Sequence, residues 1–317
     1  MKSFTITTKE EGTKLLRYLQ KLMPDMTLGA IHRALRTNHI KVNRKKVPPD
    51  TTLVSGDILE IYLADECFLP QKKNYDFLNA STKIDIRYED ENIAILFKPS
   101  GLNCHPTKGN YADNLISRYI RTLYERGEFH PEADTFSPAL CNRLDRNTSG
   151  LVIVGKNHES LKCVNQMILN RHILKGYDCL AFNGVALSGI YEAYLNDQST
   201  MVRVSEKQAD SSFKPIRTEV LSQTNYGDVA HIQLLLHTGR KHQIRAHLAY
   251  LGNPVLGDPK YGNTAFNSKY RAKQQYLQAS FIEFQKTESM LAYLSNKRFS
   301  VASIPEDWKE LLSILSN

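Results

Sequence analysis

One short segment of the chain combines the residue types that an enzyme acting on a polyanion would need. Residues 142–150 read Asn-Arg-Leu-Asp-Arg-Asn-Thr-Ser-Gly and run directly into the apolar stretch Leu151–Val154. Asp145 lies between two arginines, and neighbouring positive charge favours the ionised form of a carboxyl group. An ionised carboxylate in a turn beside a strand suits a nucleophile or a base. The alternative is an ordinary polar turn capped by Thr148 and Ser149, with arginines that are merely solvated.

A second segment gathers cations at the predicted start of a helix. Residues 239–245 read Gly-Arg-Lys-His-Gln-Ile-Arg and follow an apolar strand. Thr238 is expected to cap a helix that ends at Gly252, which places Lys241 and Arg245 four positions apart on one face. Cations are mildly unfavourable at a helix N-terminus because the helix dipole is already positive there. A local rule broken in this way is expected at a functional site.

A third segment, Lys175-Gly176-Tyr177, precedes another apolar strand. Tyr177 is predicted to begin that strand, so that its ring lies over the site that Asp145 faces. An aromatic side chain at a strand start is commonly a core residue. The functional alternative is a platform on which a base stacks, or a proton carrier.

Composition and charge restrict the class of protein. The chain has 317 residues, enough for a large and a small domain, and its 41% hydrophobic and 23% charged content is typical of a globular protein. The formal charge of +8 indicates an anionic partner, either nucleic acid or an acidic membrane surface. The chain has no run of about 18 apolar residues, and residues 1–6 lack the apolar core that is expected of a secretory signal. We therefore expect a cytoplasmic protein that does not associate with membranes.

Cofactor and metal sites are not expected. The five cysteines are dispersed without a C-x-x-C pair, which argues against disulfides and against a structural zinc site. The sequence also lacks a dinucleotide-binding fingerprint and a P-loop. A monomer is the default expectation for the oligomeric state.

The first part of the chain has the pattern of a small basic module. A helix is predicted over residues 13–23 and ends at Pro24, and Thr27 caps a second helix. Residues 40–47 then form a strand, a turn and a return strand, and residues 56–62 form a closing strand. The inward side chains of the second helix are predicted to be Leu28, Ile31 and Leu35.

Basic side chains are concentrated on this module, on one helix and the adjoining hairpin. They are Arg33, Arg36, Lys41, Arg44, Lys45 and Lys46. A charge run alone is commonly a solvated face, but charges on two adjoining elements favour a surface that binds phosphates. Residues 63–82 are predicted to be a linker, which divides the chain into domains 1–75 and 76–317.

The larger domain is predicted to be α+β. From Ile84 onward, short strands alternate with one or two helices, without regular β-α-β spacing. That pattern favours a mixed or antiparallel sheet over a doubly wound parallel one. Two turns are fixed by Pro and Gly, at residues 98–101 and 257–262. Asp258 in the second of these turns is interpreted as structural.

Together these segments resemble the RluA/RluD-type family of RNA pseudouridine synthases. Arg143–Gly150 matches the family motif R-L-D-x-x-T-S-G, Lys175–Tyr177 matches K-x-Y, and Gly239–Arg245 matches G-R-x-H-Q-I-R. The turns at residues 98–101 and 257–259 match turns that flank these motifs in the family. Several motifs in the same order over some 200 residues make the resemblance specific.

The resemblance covers residues 84–285, and the front module resembles the S4-like RNA-binding domain that also occurs in this family. The customary Arg-Leu-Asp-Lys start of that domain is replaced by Gly12–Leu15. In the larger domain, Asn142 stands where many members have His, and Leu277–Ala279 has Gln in place of a frequent His. Neither departure falls on the expected catalytic residues.

The resemblance implies the pseudouridine synthase fold and an activity that isomerises uridine to pseudouridine in structured RNA, without cofactor or metal. Asp145 would be the essential group, Arg245 its partner, and Tyr177 the ring that stacks on the extruded uracil. Arg143 would fill the gap that the uridine leaves. The other residues expected to contact substrate or RNA are Lys175, Arg240, Lys241, His242, Gln243, Arg33, Arg36 and Lys41.

Several alternatives stay open. Asp145 could attack C1′ of the ribose or C6 of the base, or act through a glycal-like intermediate. The RNA is expected to be large-subunit ribosomal RNA, with transfer RNA as the alternative. A non-catalytic RNA-binding or ribosome-assembly factor on the same fold is a second hypothesis. The absence of Asp145, Tyr177 or Arg245 would indicate such a factor. A third, a hydrolase with an Asp nucleophile for small anions, leaves the front module unexplained.

Overall fold

The computed structural model describes residues 1–24, 26–68, 75–198 and 201–316. The strands are β1 (Lys2–Thr5), β2 (Ile40–Val42), β3 (Ile58–Ile61), β4 (Asp85–Glu89), β5 (Ile93–Lys98), β6 (Ala139–Leu140), β7 (Ser149–Gly155), β8 (Ile173–Phe182), β9 (Gly189–Asn196), β10 (Arg203–Ser205), β11 (Lys214–Tyr226), β12 (Val229–Leu236), β13 (Leu277–Phe284) and β14 (Arg298–Ser300). The helices are α1 (Leu15–Leu22), α2 (Leu28–Arg36), α3 (Leu115–Glu125), α4 (His158–Leu169), α5 (Gln243–Tyr250), α6 (Thr264–Lys269) and α7 (Glu306–Ser316).

The front unit consists of α1 and α2 packed on a three-stranded antiparallel sheet in the order β1-β3-β2. Its hydrophobic core is separate from the other cores of the chain and includes Leu19, Ile31 and Leu59, which are fully buried. The Thr27 hydroxyl accepts a hydrogen bond from the backbone N–H of Ala30, as its predicted cap role requires. Residues 69–74 of the predicted linker lie outside the described residues.

Two predictions for the front unit are wrong. Leu28, the first residue of α2, is 50% exposed, and Ala34 is buried in its place beside Ile31 and Leu35. The return strand after β2 is absent from the described residues. Asn43 and Arg44 both have left-handed φ values, of 50° and 63°, so the chain reverses sharply and only an isolated bridge joins Val42 to the next segment. The strand that pairs with β2 is β3.

The larger part of the chain is built on one long sheet in the order β10-β9-β11-β12-β8-β13-β7-β5-β4, with β14 beside β13 and β6 beside β7. The neighbours are antiparallel except for β13 and β7, which run parallel for two residue pairs. This mixed sheet with helices on it confirms the predicted α+β class. Among the described residues, no helix has the length and apolarity needed to cross a bilayer.

Strand β8 lies in the middle of this sheet, and its side chains alternate between the two faces. Tyr177 and Cys179 pack with helices α3 and α5, whereas Leu180 packs with Trp308 of α7 on the opposite side. Tyr177 therefore lies in the middle of the strand, and the prediction that it begins the strand is wrong. The strand starts at Ile173 because the ladder with β13 extends that far. The alternation of β8 places Lys175 on the same face as Tyr177.

Helix α5 is buried along most of its length, and its His247 makes folding sensitive to acid. Its Nδ1 lies 3.1 Å from Thr218 Oγ1, and burial lowers the pKa of His247 to about 4. An unfolded histidine titrates near pH 6.5, so between these values the unfolded chain binds a proton that the folded chain does not. The stability contribution of His247 is therefore present above pH 6.5 and is lost as the pH falls toward 4.

We expect this group to lower the free energy of unfolding by about 2 kcal/mol between pH 7 and pH 5. His247→Gln should remove that part of the pH dependence, because glutamine does not titrate. Urea unfolding of both proteins at the two pH values measures the difference. Equal losses of stability in the two proteins would show that His247 is not the group responsible.

Candidate active site

Asp145 lies in the turn between β6 and β7, where its side chain is 28% exposed and can be reached from solvent. Its backbone carbonyl accepts a hydrogen bond of 3.1 Å from the N–H of Thr148. Gly150, two residues further on, has a φ of 119°, and a side chain there would overlap the backbone of Ala279 in β13. The Thr-Ser-Gly sequence thus lets β7 approach β13 closely, directly after the turn that presents the carboxylate.

A buried lysine holds the turn that carries Asp145 in place. Lys98, at the end of β5, is fully buried and its ammonium donates to the carbonyl oxygens of Pro99, Leu102 and Arg146 at 2.8–2.9 Å. Burial lowers the pKa of Lys98 to about 8. Because one donor group joins the loop after β5 to the residue that follows Asp145, the carboxylate is held by a rigid support.

Arg245 connects Asp145 to a second carboxylate. Its Nη1 donates to Asp145 Oδ2 at 2.7 Å, while Nε and Nη2 donate to the two oxygens of Asp258 at 2.6 and 2.9 Å. The Arg245 side chain is 6% exposed and that of Asp258 is fully buried. Burial alone would raise the pKa of Asp258, but the hydrogen bonds from Arg245 hold it below its usual value. The hydrogen bonds to Asp145 and Asp258 therefore fix the orientation of the Arg245 guanidinium group.

Tyr177 faces the same place from β8. Its ring is 7% exposed. Burial raises the pKa of the Tyr177 phenol, and the nearby charge of Asp145 raises it further. The phenol therefore stays protonated at neutral pH and presents an apolar ring with a donor at its end.

These side chains line one small cavity. Its lining residues are Arg143, Leu144, Asp145, Thr148, Tyr177, Leu236, Arg240, His242, Gln243, Ile244, Arg245 and Leu277. Its volume is about 60 Å³, enough for only a few water molecules. Arg143 and Arg240 at its rim are exposed. The structure thus brings together seven of the predicted site residues, namely Arg143, Asp145, Tyr177, Arg240, His242, Gln243 and Arg245.

The segment before α5 differs from the prediction. Helix α5 begins at Gln243. The residue before it, His242, has a left-handed conformation with a φ of 54°. The prediction that Thr238 caps the helix is wrong, and so is the placement of Lys241 and Arg245 on one helical face. A left-handed residue at position 242 interrupts the helical path between them.

Gln243 holds this segment in place. Its Oε1 accepts from the Thr238 hydroxyl at 2.9 Å and from the Arg240 N–H at 3.1 Å. Its Nε2 donates to Thr218 Oγ1 at 3.1 Å, and the side chain is buried. Its amide therefore positions the cationic loop, whereas the sequence predicts that it contacts RNA.

His242 lies between Asp145 and Tyr261, a residue to which the sequence assigns no role. Its Nε2 lies 3.9 Å from Asp145 Oδ2, and its Nδ1 lies 2.9 Å from the Tyr261 hydroxyl. Burial lowers the pKa of His242, although the charge of Asp145 opposes that shift. The Arg245 guanidinium stacks 5.3 Å from the centre of the Tyr261 ring. Tyr261 thus contacts two of the groups around the carboxylate.

The other predicted contact residues lie outside this cavity. Lys175 is half-buried beneath the loop at Gly239, and burial lowers its pKa. Lys241 is exposed on that loop. Arg33 and Arg36 line a separate groove of about 660 Å³ on the front unit, and the Lys41 ammonium lies 5.5 Å from the centre of the Tyr62 ring. The structure does not bring these five residues to Asp145.

Two residues important for the site could have been suspected from sequence. A buried arginine has five N–H donors, more than one carboxylate can accept, so a second acceptor such as Asp258 was to be expected. Lys98 ends an apolar strand directly before a Pro-Ser-Gly turn, which is an unusual place for an ammonium group. No comparable signal marked Tyr261.

Comparison with known proteins supports the resemblance. A sequence profile of the family described as RNA pseudouridylate synthase matches residues 92–250. The chain is 30% identical to an uncharacterized RNA pseudouridine synthase of Mycoplasma genitalium, with 98% of each chain covered. It is 27% identical to the ribosomal large subunit pseudouridine synthase C of Haemophilus ducreyi, covering 98% of this chain and 95% of that protein.

A solved structure agrees with the fold. Human RNA pseudouridylate synthase domain containing 4 superposes with a TM-score of 0.56 at 20% identity, over 73% of this chain and 92% of that chain. At this identity the likeness supports the fold alone. The profile match over half of the chain and the 30% identity over nearly its whole length carry the assignment. The chain belongs to the RNA pseudouridylate synthase family.

Proposed function

We propose that this protein isomerises a uridine of large-subunit ribosomal RNA to pseudouridine, with Asp145 as the essential catalytic residue. The observation that carries the proposal is the contact of Arg245 with Asp145 at 2.7 Å in a cavity that Tyr177 also lines. The names of the bacterial relatives, ribosomal large subunit pseudouridine synthases C and D, support the choice of RNA.

The reaction breaks the bond between uracil N1 and ribose C1′ and forms a bond between C5 and C1′, while a proton leaves C5 and N1 gains one. Asp145 supplies the carboxylate, through attack on C1′ or C6 or through a glycal-like intermediate. Arg245 keeps that carboxylate aimed, since Asp258 fixes the other side of the guanidinium. Isomerisation in this way consumes no second substrate.

The base must leave its stack before Asp145 can reach the ribose. Extrusion costs a few kcal/mol and costs least in loops, so a single-stranded or bulged uridine is the expected target. Tyr177 stacks on the extruded uracil, and Arg143 at the rim fills the gap that the base leaves. Arg240, Lys241 and Lys175 contact phosphates.

The same proposal treats residues 1–75 as an S4-like RNA-binding domain and residues 76–317 as the catalytic domain, which act as a monomer in the cytoplasm without a cofactor. A non-catalytic RNA-binding factor on this fold is disfavoured because Asp145, Tyr177 and Arg245 are all present and lie at one cavity. Mapping pseudouridines in total RNA from cells with and without the protein tests the function. If the only pseudouridine that disappears lies in transfer RNA, the substrate is transfer RNA and not ribosomal RNA.

The basic face of the front unit should carry part of the affinity for RNA. Replacing Arg33, Arg36 and Lys41 with Ala should weaken binding and reduce the slope of log Kd against log salt concentration by up to about three, since each phosphate contact contributes about one. Filter binding to a large-subunit RNA transcript at several salt concentrations measures the slope.

A triple replacement of Lys207, Lys214 and Lys286 with Ala is a matched control, because these exposed lysines give the same change of net charge. An equal change of slope in both triple variants would mean that the front unit contributes only through overall charge. An unchanged slope in the first variant would show that it binds something else.

A further inference from the structure

A second, polar cavity lies beside the turn that carries Asp145. Its volume is about 490 Å³, much larger than that of the active-site cavity. It is bounded by the loop Pro99–Asn103 after β5, by the turn Thr107–Asn110 and by Arg146. Arg146 directly follows Asp145, so their Cα atoms lie about 3.8 Å apart. The two cavities therefore adjoin the same turn of the chain.

The walls of this cavity are tied to the catalytic turn. The N–H of Gly101 donates to the carbonyl of Arg146 at 2.9 Å, and Arg146 Nε donates back to the carbonyl of Gly101 at 3.1 Å. The Ser100 hydroxyl donates to the carbonyl of Asn147 at 3.0 Å. On the opposite side, Thr107 and Asn110 exchange two backbone hydrogen bonds of 3.0 and 2.9 Å, which place Lys108 at the tip of a tight turn. The cavity is thus formed before any ligand binds.

The cavity carries positive charge. Lys108 and Arg146 are both exposed, and within the described ranges no carboxylate lies within 4 Å of either group. Asp113 also lines the cavity, but Arg118 donates two hydrogen bonds to it at 2.7 and 2.8 Å and lowers its pKa. The Asp113 charge is therefore compensated, and an anion is the expected occupant.

The lining also indicates which part of a nucleotide would be held. Among the residues that the structure describes, those lining the cavity have polar, aliphatic or charged side chains, and none offers an aromatic ring on which a base could stack. Contacts to phosphate and sugar position a nucleic acid without reading its sequence. An RNA strand whose uridine enters the active site continues on both sides of that uridine, so we expect one of its neighbours to pass this turn.

We propose that this cavity binds the nucleotide next to the target uridine, with its phosphate held between Lys108 and Arg146. The inference rests on the proposed function, because it takes the occupant of the active site to be a uridine in RNA. The grip is on the backbone and is indifferent to the identity of the neighbouring base. It holds the strand while the uridine is extruded.

The first test measures binding in the Asp145→Asn chain, in which no turnover complicates the result. The probe is a short single-stranded RNA with one uridine at its centre, between adenosines. Adding Lys108→Ala should weaken binding and lower the slope of log Kd against log salt by about one. Adding Lys207→Ala, which removes an exposed lysine that does not line this cavity, should leave the slope unchanged. Equal slopes for the two, or no measurable binding by either, would overturn the proposal.

The second test locates the contact on the RNA. An uncharged methylphosphonate linkage placed beside the uridine should weaken binding by the Asp145→Asn chain but have little further effect once Lys108 is also replaced. Exchanging the neighbouring adenosine for cytidine should change the affinity less than twofold. A loss that is the same with and without Lys108, or a strong dependence on the neighbouring base, would contradict a backbone contact at this cavity.

The outcome separates this inference from the proposed function. If the Lys108→Ala effect appears but the wild-type chain forms no pseudouridine in any cellular RNA, the cavity remains an RNA site and the catalytic proposal fails. If pseudouridine forms normally and Lys108→Ala behaves like Lys207→Ala, only the cavity proposal fails.

Discussion

Replacing Asp145 with Asn should lower pseudouridine formation by at least about 10⁴-fold, as expected when an essential catalytic carboxylate is removed. Asn has the same shape and keeps an oxygen that can accept from Arg245, but it lacks the negative charge and the nucleophilic oxygen. The fold should persist, because Asp258 still compensates the charge of Arg245. The measurement is pseudouridine content in a large-subunit RNA transcript under single-turnover conditions.

RNA affinity should change little in this variant, since a carboxylate makes no attractive contact with phosphates. Asp85→Asn is a suitable control, because Asp85 lies on the edge strand β4 and its loss gives the same change of net charge. Normal turnover by Asp145→Asn would remove this residue from the mechanism. Loss of binding together with turnover would point to a structural role.

Replacing Arg245 with Ala should damage both folding and catalysis. The buried guanidinium joins two carboxylates, and its loss leaves the fully buried Asp258 without its partner. Removing one member of a buried pair typically costs about 3–5 kcal/mol, so a fall of this size in the free energy of unfolding is expected. Urea unfolding at neutral pH measures it, and the isomerisation rate of the folded fraction is measured alongside.

Two further variants separate the structural and catalytic parts of this effect. Arg245→Lys keeps the charge but cannot contact both carboxylates in the same planar arrangement, so it should recover some stability and little rate. Asp258→Asn keeps the contact between Arg245 and Asp145 and should lose less activity than Arg245→Ala. A fully stable Arg245→Ala protein would contradict the buried bridge that the structure shows.

The sequence was most informative where a residue type was tied to a local rule. The sequence predicts Thr27 as a cap because the first turn of a helix needs an acceptor, and Gly252 follows the end of α5 with a φ of 92°, as predicted. The contact of Asp145 with Arg245, one hundred residues apart, came from the resemblance, since no local pattern reports a pairing over that distance. The structure confirms that contact.

The sequence was least informative where a distant partner decides the conformation. The predicted start of α5 lies too early in the chain because the hydroxyl of Thr238 donates to the side-chain amide of Gln243 and does not cap a helix. The sequence predicts a structural role for Asp258 in a turn, and its carboxylate accepts hydrogen bonds from the N–H groups of Lys260 and Tyr261, in agreement with that role. Its second role, as the partner of Arg245, depends on how α5 packs against that turn.

The catalytic chamber is small, and cationic side chains surround it. Arg143 and Arg240 both line this cavity and are exposed to solvent, where they can contact phosphates of an RNA strand. A lone nucleoside carries no phosphate for such contacts and therefore gains little to offset the cost of binding. Uridine monomers should therefore be poor inhibitors, and useful competitors will have to be oligomers whose flanking phosphates reach beyond the chamber.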